Sequence, residues 1–94
     1  MDLTYNGKPI IPTKQALTEL SEINLNLSDV PKILEKGFEL RKRKKNVIEK
    51  GIQKGDKVIN VVVVDLGGYY KLIHAGEFTL THKFRKLIRR QDGI

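Results

Sequence analysis

Lys57-Val58-Ile59-Asn60-Val61-Val62-Val63-Val64 is the stretch on which the reading of this chain turns. The run of β-branched side chains is too short for a core helix and too rich in valine to favour one. Two heavy atoms on Cβ restrict χ1 in a helix, whereas on a pleated surface they pack well. It predicts the central strand of a sheet. Asp65-Leu66-Gly67-Gly68 follows as a turn and Tyr69-Tyr70-Lys71-Leu72-Ile73-His74-Ala75 as the returning strand, so the two pair as an antiparallel hairpin. Unbroken apolar character over 61–64 predicts cover on both faces of the central strand. One cover is a pair of helices; the other is the N-terminal segment, a C-terminal helix or a second subunit. Val61, Val63, Leu72 and Ile73 are the expected core of the hairpin, with Val62 and Val64 meeting the opposite layer or a partner.

Upstream, Lys54-Gly55-Asp56 marks a turn, and Phe38, Leu40, Val47 and Ile48 mark a charged strand that completes a three-stranded meander. Ala16, Leu17, Leu20 and Ile23 recur at helical spacing between Pro12 and Ile23, with Pro12 and Thr13 as start signals. A second, shorter helix is read from Ser28 as N-cap and Asp29 as a first-turn charge, through Val30, Ile33 and Leu34, to Gly37 as a left-handed stop. At the N-terminus, Asn6-Gly7 between two short apolar segments predicts a tight hairpin or loop, which Pro9 confines to an edge. Downstream of Thr79, Leu80, Phe84, Leu87 and Ile88 fall on one side of a helical wheel and basic residues fill the rest. The expected fold is α+β, with two N-terminal helices packed on a three-stranded antiparallel sheet and a basic C-terminal helix. It forms a single domain over residues 1–94.

The formal charge of +7 is segregated. Residues 41–54 are net +6 through Arg41, Lys42, Arg43, Lys44, Lys45, Lys50 and Lys54; residues 82–94 are net +4, and the remainder is net −3. Charge concentrated in this way makes a local field that favours an anionic partner, and nucleic acid, RNA above all, is the partner expected. The expected contact residues are Arg41, Lys42, Arg43, Lys44 and Lys45 in the first cluster and Lys83, Lys86 and Arg90 in the second. The competing explanation for 41–45 is an edge strand or loop kept from pairing by its lysines.

With no cysteine, disulfides, zinc-thiolate sites and thiol nucleophiles are excluded. No apolar run approaches the roughly 18–20 residues that cross a bilayer, and the N-terminus lacks a signal-peptide pattern, so a cytoplasmic protein with no membrane partner is expected. His74 and His82 are the only histidines and show no metal-ligand spacing; no metal and no cofactor is expected. Gly67-Gly68 belongs to a turn and not to a phosphate loop, and no serine stands in a hydrolase setting. His74, set on the same side of its strand as Tyr70 and Leu72, reads first as a hydrogen-bonded structural histidine. The catalytic alternative makes His74 or His82 a general acid or base near basic residues and Tyr69 or Tyr70, a set able to cleave RNA without metal by assisting the ribose 2′-hydroxyl.

The order of a first helix, Ser28-Asp29-Val30-Pro31-Lys32-Ile33-Leu34-Glu35-Lys36-Gly37, a charged strand, Val61 to Asp65 and Tyr69 to His74 resembles small domains grouped with the BrnT and RelE toxin-like proteins, over residues 12–78. The resemblance implies a compact α+β domain, a ribosome- or RNA-directed endonuclease and an antitoxin-like protein partner. Three functions follow from the whole reading: an RNA-binding domain, a metal-independent endoribonuclease, and a non-catalytic protein that forms a homodimer through its apolar sheet face.

Overall fold

The valine-rich run does form an inner strand, but of a larger sheet than three strands. The computed structural model describes residues 3–40 and 43–80. Along these the chain runs β1 (Thr4–Tyr5), β2 (Lys8–Pro12), α1 (Lys14–Glu22), a 3₁₀ turn (Leu27–Asp29), α2 (Val30–Lys36), β3 (Phe38–Glu39), β4 (Val47–Lys54), β5 (Lys57–Asp65) and β6 (Tyr70–Thr79). All strands join one six-stranded sheet in the order β1-β2-β6-β5-β4-β3, antiparallel except where β2 runs parallel to β6. The expected three-stranded antiparallel sheet is therefore corrected to a mixed, six-stranded one. The C-terminal helix of the sequence reading lies outside the described residues.

Each added strand has a local cause. Asn6 and Gly7 take φ 53° and 77°, the two positive values that a tight hairpin turn needs, and so β1 folds back on β2. Pro9 pairs with β1, and the parallel register with β6 starts one residue later at Ile10↔Tyr70, so the missing N–H falls before the ladder it would break. The single charged strand expected after Gly37 divides into β3 and β4, with the basic run as their connection. Gly55, at the first central position of the β4–β5 turn, takes φ 65°.

β5 pairs with both neighbours over 57–64, Val47↔Val64 to Lys54↔Lys57 on one side and Lys57↔Thr79 to Asp65↔Tyr70 on the other, where Asp65 extends the ladder by one residue. Ile59, Val61 and Val63 pack with Ala16 and Leu20 of α1 and with Val30, Ile33 and Leu34 of α2 in the main core. Val58 faces away from the helices and joins Leu40, Leu80 and the half-buried Phe38 and Phe78 in a smaller cluster. Val58, Val61, Val62 and Val63 are all at most 1 % exposed. Each contributes on the order of 1.5–3 kcal/mol by leaving water.

A bulge in β6 changes the hairpin core. Val62 pairs with His74 but Val63 with Leu72, so Ile73 is the extra residue. Ala75, not Ile73, takes the next core position, and His74 leaves the row of Tyr70 and Leu72 to which the sequence pattern assigned it. Strict alternation cannot anticipate one inserted residue.

α1 starts as expected, the Thr13 hydroxyl accepting from the Ala16 N–H at 3.0 Å. Leu17, an expected core residue of that helix, is 45 % exposed, while Ala16 and Leu20 are buried. The second helix begins differently from its reading. Asp29 reaches back to accept the Asn26 N–H at 2.9 Å across the 3₁₀ turn, so Asn26 and not Ser28 opens this segment. Gly37 has φ −74° and is not a left-handed stop. It is required by close approach instead: a Cβ there would run into the Ile33 carbonyl oxygen and lie 2.8 Å from that of Gly51.

Gly37→Ala is accordingly expected to cost about 1–3 kcal/mol in urea unfolding, since both obstructing atoms are backbone. Gly68→Ala, where a Cβ meets nothing within 4 Å and φ is not positive, should stay within about 0.5 kcal/mol of the native chain. Equal midpoints for the two variants would refute the close approach of α2 to β4.

Candidate nucleic-acid interface

The described residues of the basic run, Arg43 to Lys45, lie between β3 and β4 and are not in a strand, which corrects their reading as one. The segment from Arg43 to Asn46 is tied down by backbone bonds. Val47 N–H donates to the Lys44 carbonyl at 2.9 Å, and Asp65 N–H donates to the Asn46 carbonyl at 2.7 Å. The three basic residues then have different fates. Arg43 turns inward, its Nε donating to Glu49 Oε1 at 2.8 Å. Glu49 is 2 % exposed, and its other oxygen accepts from Asn60 Nδ2 at 2.9 Å. Lys44 and Lys45 are exposed and have no ion pair among the described residues. With Arg43, Glu39, Val47 and Ile48 they line an open groove of about 320 Å³.

A buried carboxylate needs both charge compensation and hydrogen bonds, and Arg43 and Asn60 supply them. Neither Glu49 nor Asn60 was singled out in the sequence reading, although a signal exists. Asn60 is the one polar interruption in the valine run, and Glu49 stands two residues from its strand partner: Glu49↔Val62 and Gly51↔Asn60 place the two side chains as diagonal neighbours on the face away from the helices. Arg43 is thus held by the fold, while Lys44 and Lys45 are the charges presented outward. Arg41 and Lys42, and Lys83, Lys86 and Arg90 of the second cluster, lie outside the described residues.

Of the expected catalytic set, the two described members, Tyr70 and His74, are not brought together. Tyr70 is 3 % exposed. Its ring meets that of Tyr5 at 5.3 Å between centroids, its hydroxyl receives Asn6 Nδ2 at 3.3 Å, and Lys8 Nζ sits 4.6 Å from the ring centre. Lys8 also pairs with Asp65 at 2.7 Å. That hydrogen bond raises the Lys8 pKa above its ordinary 10.5, and the same bond, with one from Gly67 N–H, lowers Asp65 below 3.8. Tyr70 thus anchors the N-terminal hairpin to the β5–β6 turn. His74, four residues and roughly 13 Å along the strand, is half exposed and meets Glu19 of α1 through Nδ1 at 3.4 Å. Glu19 also accepts the Ala75 N–H at 3.1 Å, next to the bulge. Burial pushes the Glu19 carboxyl upward, but bonds from Ala75, His74 and Gln15 outweigh it and hold the pKa below its ordinary value. His82 lies outside the described residues.

Among the described residues no group of three or more histidine, cysteine, aspartate or glutamate side chains is placed to hold a metal ion, and no helix is long and apolar enough to cross a membrane. Comparison with known proteins finds no matching family model, no matching curated protein and no matching solved structure.

Two outcomes follow from these geometries. Arg43→Ala should destabilise the fold by about 2 kcal/mol, less than the ~3–5 kcal/mol of a fully buried pair because the arginine side chain is 35 % exposed. Lys44→Ala should change stability by less than about 0.5 kcal/mol. Chemical denaturation separates them, and equal effects would remove the distinction between the inward and outward cations.

The second concerns pH. Asp65 has a lowered pKa, so its contribution is present above 3.8 and is lost as pH falls through the folded value. Lys8 has a raised pKa, so its contribution is present below 10.5 and is lost as pH rises through the folded value. Asp65→Asn should therefore reduce hydrogen-exchange protection of the Ile10 amide, which donates to Leu3 at 2.9 Å, most strongly at neutral pH. The difference from the native chain should vanish in acid; one that persists there would mean that the ion pair is not its source.

Proposed function

We propose that this domain binds single-stranded RNA through the β3–β4 connection, with Lys44 and Lys45 on the phosphates. The observation that carries the reading is the division of labour at the loop: buried Glu49 holds Arg43, and the two following ammonium groups are left outward beside an open groove. Lysines act here as point charges and carry no base preference, so binding is sequence-independent and weakens with salt as condensed counterions cease to be released. A short, backbone-anchored connection does not enter the major groove of duplex DNA, which admits a helix or a two-stranded ribbon. A flexible single strand can bring its phosphates to the loop instead. The ribonuclease reading has less support, since Tyr70 is engaged in packing and stands apart from His74.

Fluorescence anisotropy with labelled RNA and DNA oligonucleotides over a salt series tests this. Lys44→Gln with Lys45→Gln should flatten the log-log salt slope by about 1.4, two phosphate contacts at ~0.7 each for a single strand, with the melting temperature unchanged. Absence of salt-dependent binding to any oligonucleotide at low ionic strength, or an unchanged slope in the double variant, would overturn the proposal.

A further inference from the structure

On the helix side of the sheet, between α2 and the far end of the β4–β5 hairpin, lies an open pocket of about 340 Å³. Its floor is aliphatic. Ile33 and Ile59 are each 2 % exposed, and Leu25 and Ile52 are half-buried and packed against the main core. Its rim is cationic: Lys32 and Lys36, one helical turn apart on α2, and Lys54 at the end of β4 are all exposed. Lys54 directly opposes Lys57, an unfavourable like-charge pairing, and Lys57 is drawn off to Glu77 at 3.2 Å. None of Lys32, Lys36 and Lys54 has an ion pair among the described residues. The carboxylate in the lining, Asp29, already accepts the Asn26 N–H.

An aliphatic floor under three ammonium groups that make no ion pair, with the single carboxylate of Asp29 against them, is complementary to a ligand that is apolar at one end and anionic at the other. The volume is at the small end of the range for ligand pockets, ~300–1,000 Å³. We propose that this pocket binds a monomeric, medium-chain aliphatic carboxylate, its tail against Leu25, Ile33, Ile52 and Ile59 and its carboxylate among Lys32, Lys36 and Lys54. The site shares no residue with the RNA-binding loop, so either proposal can fail without the other.

Sodium decanoate, kept below its micelle concentration, is titrated into the full chain and followed by calorimetry and by backbone amide shifts, with decanol and inorganic phosphate as partial ligands. Saturable decanoate binding is expected, with shifts at Ile33, Ile52 and Ile59 and with weaker binding of both partial ligands. Lys32→Gln with Lys36→Gln should weaken decanoate by roughly five- to tenfold without weakening decanol. All three lysines are exposed, so the variants should keep the native melting temperature, which is checked alongside. The proposal is overturned if decanol binds as tightly as decanoate, if phosphate does, if the lysine variant binds decanoate unchanged, or if only anionic vesicles and no monomer bind.

Discussion

The burial of β5 on both faces and its pairing on both edges is the constraint from which the other elements take their places. A strand whose Val58, Val61, Val62 and Val63 are all at most 1 % exposed must be given two backbone partners and two covers. β4 and β6 supply the first. The helices supply one cover through Ala16, Leu20, Val30, Ile33 and Leu34, and Phe38 of β3, Phe78 of β6 and the residues just past those strands, Leu40 and Leu80, contribute to the other. For the end of α2 to reach β4 closely enough, its backbone must approach that of Gly51 with no side chain between them, and Gly37 meets that need. The polar trio Arg43, Glu49 and Asn60 sits on the face away from the helices, so the one asparagine of the valine run is matched by hydrogen bonding and not left as a desolvated orphan.

The parallel joint between β2 and β6 has the same logic at the other side of the sheet. β6 would otherwise present its edge at Tyr70 to Leu72, and the N-terminal hairpin closes that edge. Tyr70, Tyr5, Asn6, Lys8 and Asp65 make the closure specific, combining ring contact, a hydroxyl bond and an ion pair within one cluster. Beyond Leu72, Glu19 reaches from α1 to the Ala75 N–H. Residues with chemistry-bearing side chains, Tyr70, Glu19 and partly His74, are in this way absorbed into holding strand ends.

What was legible in the sequence was local. The β-branched run, the Asn6-Gly7 and Lys54-Gly55-Asp56 turns and the Thr13 start of α1 each announce themselves within a few residues, and each is found where expected. What was not legible was non-local or irregular. The eight residues of β4 include Glu49, Lys50, Gly51 and Gln53 and so lack clean apolar alternation; only the partner strand explains them, with Glu49 matched to Asn60 and Gly51 thinned for Leu40 and Val58. Parallel pairing joins residues sixty positions apart and leaves no turn signature. The bulge at Ile73 shifts every later residue of β6 by one face, and Gly37 resembles a helix stop although its need is spatial.

The same distinction bears on the charge pattern that first pointed to an anionic partner. Residues 41–54 are one basic block in the sequence, but β4 lies within that block and separates its ends. Lys44 and Lys45 precede the first residue of the strand and Lys54 is its last. Eight strand residues at ~3.3 Å each set the two ends roughly 23 Å apart, against a Debye length of about 8 Å at physiological salt. Charges at that spacing are screened from one another and cannot act as one patch. The loop end borders a groove and keeps Arg43 for the fold; the hairpin end borders an aliphatic pocket and gathers Lys32 and Lys36 from α2. A basic run that reads as one feature along the chain is therefore two separate clusters in space. The surroundings differ accordingly, a buried carboxylate and an open groove at one end and an aliphatic floor at the other.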